Sequence, residues 1–370
     1  MMNDCLKIPR VNRLSCFERF IQINCVECEI KMVKAQLYIY AKSFNGFPQP
    51  EDLVLVEEEL PALKDGEYLA EAVYLSVDPY MRGYAGALKI GVPFIGGQVA
   101  LIRESKNPKF PVGKYCTGSF GWRTHTIANG VPQQSDRLKM DQYVLPDFKG
   151  LPPSLGLGVL GMPGNTAYFG FLDICKPKPE ETVVITGAAG AVGSHVGQIA
   201  KLKGCKVIGI AGSDDKGKWL TNELNFDHFI NYKTQNVKKA LREIAPKGVD
   251  CYFDNVGGEI STTIINQMNL FGRISVCGAI SGYNETRPTA GVVQGSMALK
   301  QLKMEGFIVT RWQDRWFEGI DQNLKWIQEG KIKYRETVTD GFENMFQAFT
   351  DMLKGVNYGK AIVRVKTLVK

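Results

Sequence analysis

Residues 182–204 read TVVITGAAGAVGSHVGQIAKLKG. The first five are a short apolar β-branched run, the pattern of a strand buried on both faces. A glycine-rich turn follows, and 191–203 then carries Val192, Val196 and Ile199 at helical spacing on one face. A strand passing through glycines into a helix is the setting in which a dinucleotide fingerprint has meaning. Here it is Ala188-x-Gly190-x-x-Gly193, with Gly187 just before it. Gly190 lets the backbone approach a pyrophosphate, and Gly193 lets the helix pack against the strand. The phosphates sit where free N–H groups and the positive end of the helix dipole converge.

Working outward, the same alternation continues. Strands are predicted at 206–211, 229–231, 250–254 and 273–277, and helices at 216–224, 237–245 and 259–270. Strand and helix in turn predict an α/β domain, a doubly wound parallel sheet of Rossmann type, over 156–335. Before it, from Met32 to about 155, segments such as 32–42, 53–56, 68–77 and 98–102 alternate with Gly/Pro turns. They predict a compact, mostly β domain. Residues 336–370 return to mixed character and end in a strand-like KAIVRV. Residues 1–31 stand apart as an extension.

The tip of the second strand decides the cofactor. NAD-binding chains place an acid there for the ribose 2′-hydroxyl. Ala211-Gly212-Ser213 instead leaves room for a 2′-phosphate, with Lys216 as counter-charge, so the expectation is NADPH/NADP. Asp214 and Asp215 keep NAD open, since either could turn inward. Asn255, which closes the predicted strand 250–254 ahead of Gly257-Gly258, lies where ligands of such sheets bind.

Other chemistries lack their residues. The three histidines, His125, His195 and His228, pair with no cysteine or carboxylate at ligand spacing, and Cys25-x-x-Cys28 has no second half, so no metal is expected. His195 is expected to face outward or pack at the start of its helix, and His228 to lie in a loop. Nine irregularly spaced cysteines do not make a disulfide framework, which points to a reducing compartment, the cytoplasm. The net charge of +7 comes without a run of five basic residues or basic–aromatic interleaving, so no nucleic-acid partner is expected. No apolar stretch reaches membrane-spanning length, and the acids among residues 1–31 argue against a targeting peptide.

Several further segments carry a resemblance: 76–83 (SVDPYMRG), 161–168 (GMPGNTAY), 211–216 (AGSDDK), 253–258 (FDNVGG), 277–283 (CGAISGY) and 341–344 (GFEN). From Met32 onward the chain resembles the prostaglandin reductases (leukotriene 12-hydroxydehydrogenases), zinc-independent alkenal/one oxidoreductases of the medium-chain dehydrogenase/reductase type. The zinc signatures of other branches, a cysteine near Ser76 and Gly-His-Glu near Gly97-Gln98, are absent.

The resemblance implies a GroES-like catalytic domain at 32–155, completed by 336–370. It also implies a homodimer in the cytoplasm. Its cofactor contacts would be Gly190, Ala191, Val192 and Gly193 on the pyrophosphate, and Lys216 and Tyr232 on the 2′-phosphate. Asn255, Cys277, Gly278, Ala279, Ile280, Ser281, Gly282, Tyr283, Phe307, Ile308, Val309 and Asn357 would line the remainder. One departure is Leu299, where relatives carry a tyrosine near the substrate, so substrate range is expected to differ.

The implied reaction is reduction of the carbon–carbon double bond of α,β-unsaturated ketones and aldehydes: 15-oxo-prostaglandins, alkenals and other lipid-derived molecules, with leukotriene 12-hydroxy oxidation as its counterpart. Tyr283 and Tyr80 are the protein candidates for hydrogen-bonding the carbonyl oxygen. Two rival readings stand beside this one, a quinone reductase on the same fold and a non-catalytic NADPH-binding protein.

Overall fold

A computed structural model describes residues 32–132 and 139–365. The extension 1–31, with its Cys25-x-x-Cys28 pair, lies outside the described residues. Two large sheets organise the rest. The first has six parallel strands in the spatial order His228–Asn231, Lys206–Ala211, Thr182–Thr186, Val249–Asp254, Met268–Val276, Lys303–Gly306. Numbered along the chain, that order is 3-2-1-4-5-6. Its direction of winding reverses between Thr182–Thr186 and Val249–Asp254, and a crevice opens there, beyond the carboxyl ends of the strands. Helices cover both faces, so Val183, Val184 and Ile185 are completely buried, as the unbroken apolar run requires.

The second sheet is largely antiparallel and draws on both ends of the described chain. Its main path is Glu336–Asp340, Lys360–Arg364, Tyr68–Val77, Gln98–Ser105, Tyr115–Gly118, Tyr143–Val144, with His125–Ala128 pairing Tyr68–Val77. Val33–Tyr40 and Leu53–Leu60 form a separate hairpin. Aromatic side chains fill the space between hairpin and sheet: Phe94, Trp122 and Phe349 meet with centroids 4.8–5.8 Å apart, largely edge to face.

The helix expected over 259–270 is shorter, Gly258–Ile265, and the next strand begins early, at Met268. Met268 is buried in the core and pairs with Val249, so ladder and core claim a stretch whose apolar spacing also suited a helix. The helix expected over 216–224 is Asp214–Asn222, because Ser213 caps it by accepting the Lys216 N–H. His228 opens a strand rather than lying in a loop. His195 does not face outward. It is buried, and its Nε2 lies 3.0 Å from Asn323 Oδ1 on the helix Trp316–Gln328. No helix among the described residues is long and apolar enough to cross a membrane.

Candidate active site

At the crevice the chain builds a cleft of about 500 Å³ between the two sheets. Its floor is the turn after Thr186. Gly187 adopts φ +60°, and a Cβ at Gly193 would come within 2.8 Å of the Ala188 Cα. Only glycine therefore lets the helix Ala191–Leu202 start so close to the strand. The first N–H groups of that helix have no intrahelical partner, and Gly190, Ala191, Val192 and Gly193 all line the cleft. Gly190 bridges to Gly359, whose N–H donates to the Ala189 carbonyl at 2.9 Å.

The strand ends are tied together. The Thr186 carbonyl accepts from Asn255 Nδ2 at 2.7 Å, and its hydroxyl accepts the Asn255 N–H at 3.0 Å. Asp254 Oδ1 accepts the N–H groups of Val256 and Gly257, each at 2.9 Å, and Oδ2 accepts from Ser261 Oγ at 2.6 Å. Asn255 thus reaches the cleft already oriented. Across the cleft, Gly278, Ile280, Ser281, Tyr283, Phe307, Ile308, Val309 and Asn357 line the wall with Cys277. Ala279 and Gly282 do not line it. They close the turn behind the wall, where the Gly282 N–H donates to the Ala279 carbonyl. Burial pushes the Cys277 thiol up to about 12, which removes it as a nucleophile at neutral pH.

At the far end sit Lys216 and Tyr232, beside Gly212. A Cβ at Gly212 would come within 3.0 Å of the Tyr232 hydroxyl, so the small residue makes the room. Neither nearby acid turns inward. Asp214 accepts from Asn231 Nδ2 at 2.7 Å, and Asp215 pairs with Lys218. The Lys216 ammonium is half-buried and donates to the Gly355 carbonyl at 2.6 Å. Burial, then repulsion from Lys233, lowers its pKa. A cation held there against its own interests suits a bound anion.

At the near end Tyr80 and Tyr283 face the cleft with Tyr84, Met162 and Pro163. The Tyr283 hydroxyl accepts the Ala279 N–H at 3.3 Å, and its ring rests on Gly83, where a Cβ would lie 3.3 Å from it. Burial raises the Tyr283 pKa, so the hydroxyl keeps its proton and remains a donor. Leu299 does not join the wall. It ends the exposed helix Gln294–Leu299 and is 83% exposed.

Several lining residues escaped sequence reasoning. Met352, Leu353, Lys354, Gly355 and Lys360 arrive from the C-terminal segment, and no local motif marks them. Asp78, Met162 and Pro163 lay inside quoted motifs but carried no assigned role. No three His, Cys, Asp or Glu residues gather into a metal site among the described residues.

Two family models match the chain, "N-terminal domain of oxidoreductase" over 36–135 and "Zinc-binding dehydrogenase" over 191–325. Prostaglandin reductase 1 of Bos taurus is 53% identical over 336 residues, which is 90% of this chain and 100% of the relative. This chain belongs to the prostaglandin reductase family of medium-chain dehydrogenase/reductases. The NADPH-dependent curcumin reductase of Escherichia coli is 38% identical over 89% of this chain and 96% of its own length. The crystal structure of CurA from Vibrio vulnificus in complex with NADPH superposes with a TM-score of 0.83 at 36% identity, covering 90% of this chain and 99% of that one. The zinc in the second model's description finds no donor set among the described residues here, whereas the glycine turn and Lys216 meet the family's dinucleotide requirement.

Proposed function

We propose that this chain is an NADPH-dependent reductase of the carbon–carbon double bond of α,β-unsaturated ketones and aldehydes. The observation that carries the reading is a single cleft with a phosphate-binding helix start and Lys216 at one end and two tyrosines in an apolar wall at the other. Backbone N–H groups at 190–193 would hold the pyrophosphate, Lys216 and Tyr232 the 2′-phosphate, and Asn255 and the wall 277–283 the remainder. When bound, the dinucleotide supplies a hydride to the conjugated β-carbon.

The chain's own task is electrostatic. Negative charge develops on the carbonyl oxygen, and one well-placed donor there is worth about 3–4 kcal/mol. Tyr283 and Tyr80 are that donor set, and water supplies the α-carbon proton. Met162, Pro163, Ile280 and Phe307 exclude bulk water and suit lipid-derived chains. Residues 32–155 with the returning C-terminal segment form the substrate-side domain, and 156–335 the nucleotide domain.

A homodimer in the cytoplasm completes the reading. Among the described residues the outer edge of Lys303–Gly306 has no strand beside it, and Met304, Leu299 and Ile308 are exposed nearby, a surface suited to a second copy. Cys116, Cys175, Cys205 and Cys251 are free and buried, as a reducing compartment permits.

The test is to mix the protein with NADPH and an alkenal, an enone or a quinone and follow loss of the reduced-nicotinamide absorbance. Turnover of the conjugated carbonyls, cut about a hundredfold in kcat by Tyr283→Phe or Tyr80→Phe, is expected. Faster turnover of quinones would favour a quinone reductase, and tight NADPH binding without turnover a non-catalytic protein.

A further inference from the structure

Beyond the phosphate end of the cleft, two cations flank one aromatic ring and a third lies near them. Lys216 Nζ lies 5.5 Å from the centroid of Tyr358, and the Arg335 guanidinium carbon lies 4.5 Å from the same centroid. Arg335 also lies over Trp219 at 5.7 Å, and Trp219 meets Tyr358 edge to face at 5.9 Å. Lys233, next to Tyr232, is close enough to repel Lys216. Among the described residues none of the three cations pairs with a carboxylate. The Arg335 guanidinium makes no hydrogen bond among the described residues either, so its donors remain available to a ligand.

Such a cluster is unfavourable alone. Like charges repel, and Lys216 is partly stripped of water. A ring face offsets this, because it attracts cations without consuming their N–H donors. Lys216 has a flexible four-carbon stem and would otherwise swing into solvent. Here it has two anchors, the Tyr358 ring and the Gly355 carbonyl. An arriving phosphate dianion can take the place of the carbonyl while the ring keeps its hold.

We propose that Tyr358 is a positioning residue for 2′-phosphate recognition. Its ring keeps Lys216 at the cleft wall and Arg335 beside it, so preference for NADPH over NADH depends on an aromatic side chain at position 358. This rests on the cofactor reading above and goes beyond it by naming what sets the preference. The backbone of Tyr358 is engaged separately, its N–H donating to Thr337 Oγ1 and its carbonyl accepting from the same hydroxyl, both at 3.0 Å. A side-chain change therefore leaves those anchors in place.

The experiment is equilibrium titration of the full chain with NADPH and with NADH, in wild type, Tyr358→Leu and Tyr358→Phe. Tyr358→Leu is expected to weaken NADPH about five- to tenfold while NADH stays within about twofold. Tyr358→Phe, which keeps the ring, should retain the wild-type preference. A preference unchanged in the leucine variant overturns the proposal. So does an equal loss of both cofactors, which would mark a packing role, and so does a phenylalanine variant that behaves like leucine. A wild-type protein that binds neither cofactor, or both alike, overturns the cofactor reading itself, and that failure is visible before any variant is made.

Discussion

The Lys360 ammonium lies 3.0 Å from Asp78 Oδ1, deep enough that both side chains are almost fully buried. It also donates to the carbonyls of Val77 and Ala361 at 2.7 and 2.8 Å. The last strand is thereby fastened to the segment that carries Tyr80. Replacing Lys360 by Met leaves a buried carboxylate whose remaining side-chain partner among the described residues is the Ser76 hydroxyl. The expected cost is about 3–5 kcal/mol of unfolding free energy. Adding Asp78→Asn should return much of it, since the uncompensated charge is then gone. Urea denaturation of both variants checks this, and a double variant no more stable than the single one contradicts it.

Gly193→Ala is expected to abolish measurable NADPH binding while leaving the sheet folded. The added methyl would collide with backbone at Ala188 rather than with a movable side chain. Relief requires the helix start to shift, and that start holds the pyrophosphate. Fluorescence titration with NADPH reads the loss, and wild-type affinity in the variant would remove this role for Gly193.

Lys216→Ala should lower NADPH affinity about ten- to a hundredfold and spare NADH, because a charge-assisted hydrogen bond is worth about 1.5–3 kcal/mol. Parallel titrations with the two cofactors check it. An unchanged ratio would place the 2′-phosphate elsewhere.

Burial holds His195 down to about 4 from its ordinary 6.5. Its Nε2 faces Asn323 Oδ1, and Asn323 Nδ2 donates to the Val159 carbonyl, so the neutral ring carries its proton on Nε2. The unfolded chain takes up a proton at this residue below pH 6.5, whereas the folded chain does not until about 4. Stability therefore falls as pH drops through that window, by about 3 kcal/mol in all from this one group. His195→Gln should flatten that part of the stability–pH curve. A curve of unchanged slope would show that the imidazole is not the group responsible.

Much of the nucleotide half was legible because its signals are local. Thr182–Thr186 and Lys206–Ala211 announce themselves by composition, and the glycines between strand and helix serve a backbone geometry that few other residues tolerate. Legibility failed where tertiary pairing competes with local preference. Residues 268–270 suit a helix by spacing but belong to the strand that opens with Met268 opposite Val249, and His195 gains its partner from a helix more than a hundred residues away. The contributions of Gly355, Tyr358 and Lys360 were invisible for the same reason. Their neighbours in space come from distant parts of the chain, and in the KGVNYGK stretch only Asn357 was marked, by the family resemblance and not by any local pattern.

The hydrogen bond from Gly359 to Ala189 carries a consequence for how the enzyme is made. During synthesis all six strands of the parallel sheet have been translated once residue 306 is added, long before the segment that closes the cleft. A nascent polypeptide stalled or clipped before Gly355 would own the fingerprint turn yet lack the carbonyl that holds Lys216, the ring beside it and the lysine that braces Asp78. Maturation of the active centre is thus deferred until the segment from Gly355 onward has been translated, and a chain stopped before it has no finished pocket in which to waste reducing equivalents.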